Sequence, residues 1–215
     1  MKGLFITLEG IDGSGKSTQA QFLAERLRSM EFPVLVSHEP GGSAIGLQIR
    51  AVLLARENIA MCAMTEMLLY TADRAQHVQE VIRPALDQGQ VVIVTRYNDS
   101  TMAYQSWGHG LSLQETERVC TIATGGLWPH LTVVLDLEPQ TGLKRTQGDR
   151  LEAEGVALQA KVREAYMALA THYPERIRIV SAQGEPQEVF ERVWHWVLHL
   201  LEKNPLMIKA RRIKE

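Results

Sequence analysis

An α/β fold with a parallel sheet covered by helices on both faces is the architecture this sequence predicts, and three observations predict it. Five short runs are mostly apolar rather than alternating: 4–8, 33–37, 91–94, 131–135 and 177–180. Strands of that kind are buried on both faces, as parallel sheets require. Longer amphipathic segments lie between them, so strand and helix alternate along the chain. A glycine-rich turn joins the first apolar run to the first amphipathic segment.

Each element follows from its pattern. Residues 19–30 read as a helix, with Phe22, Leu23, Leu27 and Met30 at helical spacing. A Pro-Gly-Gly turn at 40–42 precedes a helix carrying Ile45, Ile49, Val52 and Leu53. One long helix is expected from Thr65 to Asp87, stopped by Gly89 as a C-cap. Polar helical segments are expected at about 98–107 and 112–124. The polar stretch 142–155 contains Gly142, Gly148 and Gly155 and reads as partly a mobile loop. A helix over 156–172 follows. The last helix, 186–203, lines one face with Val189, Phe190, Val193, Val197 and Leu201.

Size and charge bound the function. A chain of 215 residues suits one domain and buries on the order of 70% of its unfolded surface. The division expected is one domain over 1–203 with a lid at about 142–155, then a basic tail at 204–215. From 203 onward there are five Lys or Arg and one Glu, yet the whole chain carries −2. That is a poor footprint for a general nucleic-acid binder. Cys62 and Cys120 are far apart and read as buried or partly buried free thiols. His195 and His199, four apart, have no third ligand in view and read as surface histidines. Trp107, Trp128 and Trp194 read as core or interface residues. No apolar run is long enough to span a membrane, and no signal-peptide pattern opens the chain, so a cytoplasmic setting is expected.

The turn after the first strand carries chemistry. Gly10-Ile11-Asp12-Gly13-Ser14-Gly15-Lys16-Ser17 is G-x-x-x-x-G-K-[ST], a phosphate-binding loop, and Thr18 continues it into the helix. Its glycines let the backbone curl so that N–H groups point at phosphate oxygens. Lys16 supplies charge to the terminal phosphates of a nucleoside triphosphate, and Ser17 a hydroxyl to Mg²⁺. A dinucleotide fingerprint fails, because Thr18 stands where its third Gly belongs. No guanine-reading Asn-Lys-x-Asp is present, and the chain is short for a motor or transport ATPase. Small phosphate-loop kinases remain.

Four further segments narrow the class. They are His38-Glu39-Pro40-Gly41-Gly42-Ser43; Tyr70-Thr71-Ala72-Asp73-Arg74; Arg96 to Gln105; and Asp149-Arg150 after Lys144-Arg145. In this order and spacing, over about residues 3 to 200, the chain resembles the bacterial thymidylate kinases. The resemblance implies a P-loop kinase fold with a five-stranded parallel sheet and a short lid, phosphorylation of dTMP to dTDP by ATP with Mg²⁺, and a homodimer packed through helices. It implies that Arg96 and Arg50 hold the acceptor phosphate, that Tyr70 stacks on thymine and that Arg74 reads the base edge. Ser100, Thr101, Tyr104 and Gln105 then lie beside base and sugar, with Glu39 and Pro40 also on the acceptor side. Asp12 lies near the 3′-hydroxyl. Arg145 or Arg150 closes from the lid onto ATP.

The chain departs from the family at three places. The third strand ends Thr95-Arg96 rather than Asp-Arg, His38 replaces an Arg, and the lid keeps only two arginines. A nucleotide acceptor is already largely dianionic at neutral pH, so it needs positive charge rather than a base. Two alternatives stay open on sequence. One is a deoxynucleoside kinase using Glu39 as base; the other is a non-catalytic nucleotide-binding homologue.

Overall fold

The computed structural model describes residues 3–145 and 155–204. Five strands form one sheet: β1 (Leu4–Glu9), β2 (Val34–His38), β3 (Val91–Thr95), β4 (Leu131–Asp136) and β5 (Ile177–Ser181). Their order is β2-β3-β1-β4-β5, and every pairing is parallel. Leu4, Ile6 and Leu8 pack on one face with Leu23 and Leu27 of α1 (Lys16–Ser29) and with Val193 and Val197 of α9 (Pro186–Glu202). Phe5 faces the other way, against Ile82, Leu86 and Tyr97. Burial on both faces is why the central strands β1, β3 and β4 are mostly apolar.

The expected long helix is interrupted. An α-helix, α3 (Ala63–His77), gives way to a π-helical turn over Val78–Ile82, and α4 (Arg83–Asp87) completes the run. Pro84 has no N–H for the Glu80 carbonyl, and its ring crowds that oxygen, so the ladder widens ahead of it. The expected 98–107 helix is α5 (Asn98–Thr101) followed by a second π-helical turn, Met102–Gly108. Next come α6 (Leu113–Thr124), α7 (Pro139–Leu143) and α8 (Gly155–His172).

Two expectations, on Gly142 and Cys62, are corrected. Gly142 is buried in α7 rather than in a loop, because a Cβ there would lie 2.3 Å from the Asp12 carbonyl oxygen. Cys62 is exposed; it precedes α3, and its Sγ lies 3.2 Å from the Thr65 hydroxyl. On α2 (Ala44–Leu54), only Leu53 of the four apolar residues is buried, while Ile45 and Val52 stay about half exposed. His195 and His199 are exposed, and among the described residues no His, Cys, Asp or Glu group is arranged for a metal. Most of the expected lid, Arg150 included, and the tail from 205 lie outside the described residues.

Candidate active site

The site grows from the C-terminal ends of β1 and β3, central strands whose connections leave on opposite sides of the sheet. Between β1 and α1 the backbone wraps around the Lys16 side chain. Its Nζ donates to the Gly10 carbonyl at 3.1 Å and the Ile11 carbonyl at 2.7 Å. Gly13 has φ +73°, and a Cβ on it would meet the Gly142 carbonyl oxygen at 2.1 Å, so only glycine fits. Burial, then the charge of Arg96, pushes the Lys16 ammonium down to about 7. Ser17 and Thr18 are exposed on a cavity of about 700 Å³. Arg145 and Thr95 line the same cavity, and Arg145 Nη1 lies 3.5 Å from the Gly13 carbonyl.

Arg96 directly follows β3 with φ +66°, a left-handed conformation that costs a non-glycine residue free energy. Flanking bonds hold it there. Its N–H donates to the Leu8 carbonyl at 3.0 Å, and the Tyr97 N–H donates to Glu9 Oε1 at 2.6 Å. Its guanidinium bonds Asp12 Oδ1 and reaches Ser100 Oγ at 3.2 Å. Burial alone would raise the Asp12 carboxyl. Arg96 and Lys16 outweigh it, helped by bonds from Gln159 and Tyr104, and hold that carboxyl below its usual range.

A second cavity, about 220 Å³, adjoins the first. Its lining takes in Pro40, Tyr70, Ser100, Thr101, Tyr104 and Gln105. Asp12, Glu39, Arg50 and Arg96 line both cavities. Leu54, at the end of α2, also lines the smaller one and was not expected there. Arg50 reaches the seam because its Nη1 donates to the Pro40 carbonyl at 2.8 Å.

Arg74 sits differently from its expected place. It is not among the residues lining the smaller cavity, and it bonds two that are, Glu39 and Thr101. Its Nε donates to Glu39 Oε2 at 2.7 Å and its Nη1 to Thr101 Oγ1 at 2.8 Å, and the side chain is 1% exposed. The other oxygen of Glu39 faces His77 Nδ1 at 2.9 Å, and His77 Nε2 meets Ser37 Oγ at 2.7 Å. Glu39 is therefore held at both oxygens by α3, a poor arrangement for a general base. His38 is exposed at the end of β2; desolvation first and Arg50 second lower its pKa, which favours the neutral ring where the family carries an arginine.

Two buried residues that sequence reasoning passed over complete the seam. Glu9 ends β1, and its Oε2 accepts from Ser100 Oγ at 2.5 Å and from Tyr166 OH at 2.9 Å. A carboxylate closing an apolar strand was the available signal. Gln159 Nε2 donates to Asp12 Oδ2 at 2.8 Å while its Oε1 accepts the Asp12 N–H at 3.2 Å. It shares the buried stripe of Val162, Tyr166 and Leu169 on α8, where a polar residue is out of pattern.

A phosphate loop at a sheet's topological centre, opening into two cavities that share an arginine-rich seam, defines a P-loop nucleotide-binding α/β protein built to bring two ligands together. The thymidylate kinase family model matches residues 8–193. A thymidylate kinase of Synechococcus sp. (strain JA-2-3B'a(2-13)) is 49% identical, over 89% of this chain and 92% of that one. One from Halothermothrix orenii is 47% identical, over 94% and 100%. The crystal structure of thymidylate kinase from Ehrlichia chaffeensis superposes with a TM-score of 0.78 at 27% identity, covering 92% of this chain and all of that one. The chain belongs to the thymidylate kinase family.

Proposed function

We infer that this chain transfers the γ-phosphoryl group of ATP to dTMP, giving dTDP. One observation carries the reading: the two cavities meet at Asp12, Glu39, Arg50 and Arg96. A phosphoryl group passing between two polyanions needs positive charge at that meeting point more than it needs a base. Lys16 and Arg145 serve the donor phosphates, and Arg96 with Arg50 serves the acceptor phosphate. Tyr70 offers an aromatic face to the base. Asp12, oriented by Gln159 and Tyr104, faces the sugar. Arg74 acts from behind, by holding Glu39 and Thr101.

The donor set suits a magnesium ion that arrives with ATP rather than one resident in the protein. Ser17 and Thr95 offer hydroxyls beside the phosphate loop, while Asp12 is engaged by Arg96 and Asp136 by Arg163. Magnesium keeps waters and phosphate oxygens in such sites and supplies neutralising charge to the transferred group.

A homodimer fits the surface. Leu47 on α2 and Met64 and Leu68 on α3 are exposed, and those two helices pack on each other. Apolar side chains gathered on one face mark an interaction site. No helix among the described residues is long and apolar enough to cross a membrane. A cytoplasmic enzyme supplying dTTP synthesis is consistent with this.

A coupled assay offering ATP with thymidine or dTMP side by side tests the reading. Turnover of dTMP is expected. Phosphorylation of thymidine alone, or binding of dTMP without turnover at high enzyme concentration, overturns it.

A further inference from the structure

Behind the smaller cavity lies a buried carboxylate with no part in the phosphoryl chemistry. Glu66, on the first turn of α3, is 1% exposed. Its Oε1 accepts from Gln105 Nε2 at 2.6 Å and faces His109 Nδ1 at 3.1 Å. A carboxylate oxygen so placed accepts only, so the Gln105 amide must turn its nitrogen to Glu66. Reversing that amide would set oxygen against oxygen in a buried place, at the cost of an unmade hydrogen bond to a charged group. Gln105 lines the cavity, and with its nitrogen turned to Glu66 its carbonyl oxygen is the amide atom directed away from that carboxylate.

A neighbouring hydroxyl is fixed in the opposite sense. Thr101 Oγ1 accepts from Arg74 Nη1 at 2.8 Å, and Arg74 is itself tied to Glu39. A guanidinium cannot accept, so the Thr101 hydroxyl proton is free for the cavity. The wall therefore presents one acceptor, from Gln105, and one donor, from Thr101.

We propose that Glu66 is a specificity-determining positioning residue, which orients Gln105 so that the base site accepts the N3–H of thymine or uracil and rejects cytosine. Thymine carries a donor at N3 beside carbonyl acceptors. Cytosine carries an acceptor at N3 beside an amino donor, so it meets the wall with both signs reversed. A site with oriented buried polar groups rejects the mismatched ligand strongly because those groups are left unpaired. The inference rests on the dTMP reading and deepens it by naming what enforces the choice of base.

The test compares binding of dTMP and dCMP by calorimetry, alongside their turnover, in the wild type, Glu66→Gln and Glu66→Asp. A glutamine at 66 can turn its own amide to meet either face of Gln105, so the lock is released with little change of volume. The dTMP-over-dCMP binding ratio is expected to fall on the order of 10-fold or more in Glu66→Gln. Glu66→Asp, which keeps an acceptor-only group, is expected to hold most of the ratio, and the KM for ATP is expected to stay unchanged in both. A role confined to stability would lower both affinities together and leave the ratio where it was. A ratio in Glu66→Gln within twofold of wild type overturns the proposal. Wild-type protein that binds dTMP but does not turn it over overturns the kinase reading alone; wild-type protein that binds neither nucleotide overturns both.

Discussion

Lys16 and Glu9 sit close together, and burial acts on them in opposite directions. With its ammonium pushed down to about 7, Lys16 loses its proton readily in the ligand-free protein. A triphosphate beside it restores the charged form. Binding of ATP with Mg²⁺ near pH 8 is therefore expected to take up a proton. Calorimetry in two buffers of different ionisation enthalpy measures that uptake, and an enthalpy independent of buffer would contradict it. Glu9 is raised from 4.5 to about 7, first by burial and then by the neighbouring Asp99. Its native form keeps a proton that the unfolded chain gives up between those values. Stability from this group is thus full below about pH 4.5, falls as the pH rises, and is lost above about 7. Glu9→Gln is expected to flatten that slope, by up to about 3 kcal/mol between the two ends. Denaturant midpoints at pH 4.5 and pH 8 in the two proteins check it. For catalysis, Lys16→Ala and Arg96→Ala are each expected to lower turnover on the order of 100-fold or more. Near-normal rates would remove that residue from the phosphoryl path.

Among the elements, the phosphate loop is shaped partly by a helix far from it in sequence. Gly13 and Gly142 leave no room for a side chain on either, so α7 serves as a rear wall for the loop. Gly13→Ala is expected to destabilise the protein by more than about 1 kcal/mol and to weaken ATP binding. Thermal denaturation and the KM for ATP measure the two effects. The end of β3 carries a different lesson. Thr95 lines the donor cavity where the family carries an aspartate, and the adjoining Arg96 is locked by bonds to Leu8 and Asp12 rather than by residue 95. Thr95→Asp is expected to leave turnover unchanged or to raise it, read in the same coupled assay; a large loss would assign Thr95 a role of its own. The periodicities of α1, α8 and α9 were readable because each has one buried stripe. Those of α3 and α5 were less so. Pro84 and the turn at Met102–Gly108 change the helical repeat, which a count of apolar spacing assumes constant.

For the whole molecule, Ile45, Leu47 and Val52 of α2 and Met64 and Leu68 of α3 turn outward. Periodicity shows that a face is apolar and cannot say whether the same chain or another covers it. Leu68→Glu is expected to convert a dimer to a monomer, measured by light scattering on an eluting peak, with the fold retained by circular dichroism. A wild type that elutes as a monomer at micromolar concentration would contradict the dimer.

Sequence alone determined the parallel sheet, the phosphate loop and most of the residues that line the smaller cavity. These depend on local signals: mostly apolar runs, glycines at set spacing, and short motifs in order. Tertiary structure alone decided which polar groups meet. Glu9 bonds a hydroxyl 157 positions away, Asp12 bonds an amide 147 away, and Glu66 bonds Gln105 39 away. Arg74 likewise bonds Glu39 and Thr101, 35 and 27 positions away. A buried polar group must find a partner wherever packing brings one, and packing is set by the whole chain, so no local pattern records the pairing.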